Sequence, residues 1–133
     1  MTARKTLPTE VAAFDTEAIP ELPDASPLQI FVRNEEDPTK VIIAGELDGS
    51  TARFLREKLA ELTADLDGAL ALDVSLLTFI DSTGLSLILS VHKNLQARGL
   101  DLTIVDPTPM TRRLLQITGL DQVLRIEPSE QRR

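Results

Sequence analysis

Apolar and polar positions change period several times along this chain, and each change marks an element. Leu28, Ile30 and Val32 alternate with Gln29, Phe31 and Arg33, the period of a half-buried strand. Asn34-Glu35-Glu36-Asp37-Pro38 reads as a turn, and Lys40-Val41-Ile42-Ile43-Ala44 as a second strand paired with the first in a hairpin. From about Ser50 to Leu66 the period lengthens. Ala52, Leu55, Leu59, Leu62 and Leu66 recur at steps of three and four, which is one stripe of a helix. Asp67-Gly68 closes it.

Ala69-Leu70-Ala71-Leu72-Asp73-Val74 is short and almost wholly apolar, as a strand buried on both faces is expected to be. A second helix follows from about Thr83 to Arg98, with Leu85, Ile88, Leu89, Val91 and Leu95 inward and Gly99 at its end. Leu100–Val105 alternates again. Thr108-Pro109 has the form of a helix start, an N-cap hydroxyl before a first-turn proline. That helix is expected to bury Met110, Leu114 and Ile117, and to stop at Gly119 with Leu120 folded back over it. Val123–Ile126 reads as a last short strand. The order β-β-α-β-α-β-α-β predicts an α/β domain. Its central sheet is mostly parallel, with an antiparallel hairpin at one edge, right-handed crossovers and helices packed against it.

Residues 1–27 break this regularity. Pro8, Pro20, Pro23 and Pro27 are mixed with Glu10, Asp15, Glu17, Glu21 and Asp24, the composition of a disordered acidic leader. A short helix around Glu10–Glu17 is compatible with the same residues. The patterned domain then spans 28–128, and 129–133 is a tail.

Composition narrows the function. The 133 residues suit one domain, and four Phe as the only aromatics require an aliphatic core. A net charge of -7 argues against nucleic acid as a partner. The absence of cysteine removes disulfides, thiolate catalysis and cysteine-built zinc sites. Neither a secretory signal nor an apolar stretch of membrane-spanning length is present in the sequence. The expectation is a soluble, cytoplasmic chain with no membrane partner.

The chemistry concentrates at Thr78-Phe79-Ile80-Asp81-Ser82-Thr83-Gly84-Leu85, where an apolar run gives way to a helical pattern. Hydroxyls and an acid at such a junction face the free backbone N–H groups of a helix start, a favourable place for a phosphate. Three roles are open to Ser82: nucleophile, plain cap, or switch. A nucleophile needs a general base. The only histidine, His92, lies ten residues along the same helix, about 15 Å away. The G-x-S-x-G elbow is missing as well. Hydrolysis is therefore a poor reading, and the chain is not expected to be an enzyme.

Asp48 and Asp73 could in principle meet Asp81 in an acidic pocket for magnesium. No glycine loop for phosphate accompanies them, and Gly45-Glu46-Leu47-Asp48-Gly49 lacks the lysine of a P-loop, reading instead as a strand-to-helix turn. No cofactor is expected. Placed at or beside the N-cap, Ser82 can serve simply as the cap, with Thr83 at N1. It can equally carry a regulatory phosphate, which adds about -1.5 to -2 charge and would disturb any partner docked over that helix end.

The motifs resemble a known family. Gly45-Glu46-Leu47-Asp48 is similar to the "GELD" signature of the STAS domain of anti-sigma factor antagonists. Leu72-Asp73-Val74-Ser75 followed by Phe79-Ile80-Asp81-Ser82-Thr83-Gly84-Leu85 resembles its "LDLS…FIDSSGL", and Thr108–Ile117 with Gly119-Leu120 resembles its closing element. The resemblance covers about residues 28–128 and implies a single STAS-like domain.

It further implies that Ser82 is phosphorylated by a cognate anti-sigma factor with serine kinase activity. Thr83 is the less favoured acceptor. The unphosphorylated form would bind that kinase and free a sigma factor, phosphorylation would end the contact, and a serine phosphatase would reset it. Asp48 matches a family acid near the phosphorylated serine that helps kinase engagement. Asp48, Gly49 and Ser50, with Asp81, Ser82, Thr83, Gly84 and Ser86, would form the partner surface. Ser86 and Ser90 stand where the family helix often carries glycine. A STAS scaffold or complex subunit that is never phosphorylated is the alternative implied by the same motifs.

Overall fold

The computed structural model describes residues 27–35 and 37–128. The leader expected over 1–27, apart from Pro27, and the tail at 129–133 lie outside the described residues.

Five strands form one sheet in the order β1-β2-β3-β4-β5. These are β1 (Leu28–Arg33), β2 (Thr39–Leu47), β3 (Leu70–Ile80), β4 (Leu102–Val105) and β5 (Arg125–Glu127). Three helices connect the later strands: α1 (Ala52–Ala64), α2 (Ser82–Ala97) and α3 (Pro109–Thr118). β1 and β2 pair antiparallel, and every other pairing is parallel. The element order and the edge hairpin are those expected from the sequence.

Each parallel crossover steps to the next strand in the same direction. Right-handed connections then place all three helices on one face of the sheet. The core agrees with this. Leu28, Val41, Ile43, Leu70, Leu72 and Ile104 on the strands pack in one cluster with Leu55, Leu59, Leu87, Leu95 and Leu115 on the helices. Each such leucine contributes about 2 kcal/mol by leaving water.

Alternate residues point to the opposite face, which no described helix covers. Register sets them in rows. Arg33, Lys40, Ala71, Thr103 and Arg125 form one row, and Phe31, Ile42, Asp73, Val105 and Glu127 the next. Beyond them, Gln29, Ala44 and Leu76 stand side by side, followed by Glu46 with Phe79.

Two strands are longer than their patterns suggested. β2 continues through Gly45-Glu46-Leu47, the segment expected to be a turn, and β3 continues to Ile80. β3 also carries register shifts opposite Ile42–Ala44 and Gly45–Glu46, and these bulges erased the alternation a sequence reader looks for. Side chains close both. Asp73 Oδ1 accepts from the Ser75 amide at 2.9 Å and the Ser75 hydroxyl at 2.7 Å, and the Thr78 hydroxyl donates to the Gly45 carbonyl at 3.1 Å.

Other boundaries moved by a residue or two. α1 runs 52–64 rather than 50–66, and β4 begins at Leu102 rather than Leu100. In α3 the buried residues are Thr111 and Leu115, with Leu114 half-buried. Met110 and Ile117 are exposed, against expectation. The helix is rotated so that Thr111, whose amide donates to the Thr108 cap at 3.2 Å, turns inward. Gly119 does end α3, in the left-handed conformation at φ 78°, and Leu120 packs against the core.

Candidate functional site

The C-terminal ends of β2 and β3 bring two helix starts together, as expected of ligand and partner sites on parallel sheets. At the first, Asp48 folds its loop around its own carboxylate. Oδ1 accepts from the Ser50 amide at 2.9 Å, the Ser50 hydroxyl at 2.7 Å and the Thr51 amide at 3.2 Å. The Ser50 hydroxyl bond is the chief cause that holds the Asp48 carboxyl below its ordinary value of 3.8, since hydrogen bonds to the charged form favour it. The Thr51 hydroxyl donates to the Glu46 carbonyl at 2.8 Å, while the Asp48 amide donates to that hydroxyl at 3.0 Å.

At the second start, the cap is Asp81 and not Ser82. Asp81 has extended backbone, and its Oδ1 accepts from the Gly84 amide at 3.0 Å. Its Oδ2 accepts from the Gly49 amide at 3.3 Å, which ties the Asp48 loop to the start of α2. Its own amide donates to the Leu47 carbonyl at 3.2 Å. One carboxylate thus joins both loops.

The reading of Ser82 as a possible N-cap is therefore corrected. Asp ranks beside Ser as a cap, and here Asp precedes Ser with glycine three residues on, where the capped amide must lie. Ser82 becomes the first helical residue, with an exposed hydroxyl and no hydrogen-bond partner among the described residues. Thr83 beside it is exposed too, and Ser86 stands exposed one turn further along.

Gly84 is buried under this corner. A Cβ there would come within 2.8 Å of Leu47 Cγ and 2.9 Å of Ile80 Cγ1, so only glycine lets α2 start so close to the strand ends.

Asp81 reaches the Asp48 loop at the Gly49 amide, but Asp73 does not join them. It sits lower on the helix-free face, where it closes the first β3 bulge and faces Lys40 Nζ at 3.7 Å. Asp48, Asp73 and Asp81 do not converge on one pocket, and no group of three possible metal ligands exists among the described residues. His92 lies on α2, its buried Nδ1 without a hydrogen-bond partner among the described residues, away from Ser82 as its spacing required. The sequence pattern did not show that Phe54 and Phe79 are exposed, at 40% and 44%. For Phe79 the irregular alternation of β3 concealed which face it takes.

A phosphate on Ser82 would lie at the amide-rich end of α2, whose partial positive charge favours anions. The Gly84 amide is already taken by Asp81 and the Leu85 amide by the Asp81 carbonyl. The neighbouring Asp81 carboxylate opposes the added charge.

Comparisons with known proteins bear on this corner. The family model for the STAS domain matches residues 29–132. The chain is similar to the anti-sigma-B factor antagonist of Bacillus subtilis, with 37% identity over 102 residues, 74% of this chain and 90% of that one. The crystal structure of an anti-sigma factor antagonist from Mycobacterium paratuberculosis matches with a TM-score of 0.70 at 29% identity, covering 77% of this chain and 87% of the other. The Bacillus cell fate determinant SpoIIAA in its phosphorylated form matches in fold, with a TM-score of 0.59 at 23% identity, over 77% of this chain and 92% of that one. This chain belongs to the STAS domain family, alongside relatives named anti-sigma factor antagonists.

Proposed function

We propose that this protein is a phosphorylation-controlled antagonist of an anti-sigma factor, acting in the cytoplasm. The family's role is regulatory protein binding, and relatives named for antagonism of anti-sigma factors cover most of the chain. The observation that carries the reading is the state of Ser82. Its hydroxyl is exposed and unpaired on a corner held by Asp81, Gly84 and the Asp48 loop. A modification there reaches solvent without dismantling a bond of the fold.

In the unphosphorylated state the Asp48–Ser50 loop, the Asp81–Gly84 corner and Ser86 form the docking surface for an anti-sigma factor that is also a serine kinase. Asp48, fixed in its charged form by Ser50 and Thr51, offers a cationic partner a preset carboxylate. Ser82 receives the phosphoryl group. Covering a phosphate next to the Asp81 carboxylate then costs several kcal/mol, and each 1.4 kcal/mol is about tenfold in affinity. A serine phosphatase restores the binding form.

The test is the intact mass of the protein after incubation with ATP and the kinase recovered with it from its native cell. One phosphoryl group is expected on wild type and on Thr83→Ala, and none on Ser82→Ala. Equal modification of Ser82→Ala would overturn the assignment to Ser82.

A further inference from the structure

A cleft of about 380 Å³ runs between α1 and α2. Its floor is apolar, made by Leu59 of α1 with Leu87 and Val91 of α2, and Arg56 and Arg98 stand on its walls. None of its lining residues is acidic. The acids of α1 are engaged elsewhere: Glu57 pairs with Arg53 at 3.3 Å and Glu61 with Lys58 at 3.9 Å. Asp65 and Asp67 follow α1 without reaching the walls, and α2 carries no acid between Ser82 and Ala97. Arg56 is exposed and has neither an ion pair nor a hydrogen bond among the described residues. Arg98 donates to the Leu66 carbonyl at 3.1 Å, which holds its guanidinium at the lower end. In a chain of net charge -7 this cleft is a local excess of positive charge.

The head of the cleft opens on the corner that carries Ser82. Thr83, Leu87, Ser90, Asn94 and Arg98 recur at steps of three and four, which is one stripe along α2. A Cβ on Gly49 would lie 4.0 Å from the Thr83 hydroxyl oxygen, so the stripe begins beside the Asp48 loop. Each of the two helices returns from the end of one parallel strand to the start of the next, so they run side by side in the same direction. Their starts are tied by Asp81 at the Gly49 amide. Arg56 shares the upper part of the cleft with Leu87, and Arg98 stands about 16 Å further along α2.

We propose that this cleft seats an acidic amphipathic helix of the anti-sigma factor, an inference that rests on the reading of the chain as that factor's antagonist. The chemistry of the occupant follows from the walls. Apolar side chains on one face of the docked helix meet Leu59, Leu87 and Val91, as helices in grooves do. Two acids about eleven residues apart fall on that same face and reach Arg56 and Arg98 together. A small anion fits less well, because one group cannot answer two arginines so far apart. Ala60, Ala64 and Ser90 are too short to close the space, so the helix can lie low between α1 and α2. The whole surface is then bipolar, with Asp48 at the corner taking a cation and the cleft taking anions. That arrangement fixes the orientation of the partner and opposes one whose charges are reversed.

Titration calorimetry of the full-length, unphosphorylated protein against the anti-sigma factor recovered with it from its native cell tests this. Arg56→Glu should weaken binding about tenfold or more, and Ala60→Phe, which fills the cleft from an exposed position, should weaken it as well. Arg113→Glu reverses an exposed charge on α3 and should leave the affinity as it is. The free variants should show otherwise unchanged amide spectra. In nitrogen-15 spectra of the wild type, the amides of Ala60, Ala64 and Asn94 should shift when the partner is added. Wild-type affinity in either cleft variant, or an absence of those shifts, overturns the inference. So does an equal loss in Arg113→Glu, because net charge alone would then attract the partner. If the cleft variants bind like wild type while phosphorylation of Ser82 still weakens binding, the cleft is excluded and the reading of Ser82 stands. If the unphosphorylated wild type does not bind, both fall together.

Discussion

The starts of α1 and α2 use nearly the same residues for opposite ends. Asp48-Gly49-Ser50-Thr51 and Asp81-Ser82-Thr83-Gly84 each present an acid, two hydroxyls and a glycine. In the first, the hydroxyls turn back onto the acid, and Ser50 and Thr51 both donate to Asp48. In the second, the acid captures amides alone, those of Gly84 and Gly49, and leaves Ser82 without a partner among the described residues. The order of residues makes the difference. Glycine in second place opens the Asp48 loop into a turn, whereas glycine in fourth place lets α2 begin directly against Leu47 and Ile80. One loop is closed on itself and the other holds a hydroxyl outward.

Substitutions should separate the two starts. Gly84→Ala is expected to have the largest effect, about 3 kcal/mol of lost stability, because its Cβ has no room against Leu47 and Ile80. Chemical denaturation measures it. Asp81→Ala should cost about 1–2 kcal/mol through the lost cap, and it should also weaken protection of the Gly49 amide from hydrogen exchange, the sign that the two loops are joined.

Ser50→Ala should act through Asp48. Removing the main cause of its lowered pKa moves the carboxyl back toward 3.8, which carbon-detected titration by NMR resolves. The sign follows from the direction of the shift. A carboxyl lowered by folding stabilises the native state above the unfolded value near 3.8, and that contribution is lost as the pH falls through the lowered folded value. Ser50→Ala should therefore reduce the acid-induced loss of stability in that window.

The smallest effect is expected from Ser82→Ala, within about 0.5 kcal/mol, since no bond of the fold uses that hydroxyl. A large loss of stability in Ser82→Ala would contradict the division between the two starts. Ser82→Asp places an acid in the first turn of α2 and not at its cap, so it too should leave stability nearly unchanged.

Much of this was legible from period alone. The hairpin, the alternation of helices and strands, the cap at Thr108 and the stop at Gly119 all followed from local rules. What failed did so for identifiable reasons. The bulges in β3 shifted its alternation, so the strand was cut short and the face that Phe79 takes was not legible. The face of α3 turned on a buried Thr111 that hydropathy does not count as apolar. At the site, the division of labour between neighbours was not legible in the sequence. Asp81 and Ser82 are both good caps, and only the close approach of Gly84 to the sheet decides that the acid takes the cap and the serine the first turn. Asp73, read as a possible ligand, is explained by a bulge that no sequence period announces.

The central claim is that a phosphate on Ser82 controls one protein contact while the fold stays as it is. Titration calorimetry of the full-length protein against its anti-sigma factor, with the unphosphorylated and the singly phosphorylated forms side by side, tests it most directly. The account predicts binding at least about tenfold weaker after phosphorylation, equivalent to about 1.4 kcal/mol or more, with the thermal midpoint of the free protein nearly unchanged. Equal affinity of the two forms would contradict it.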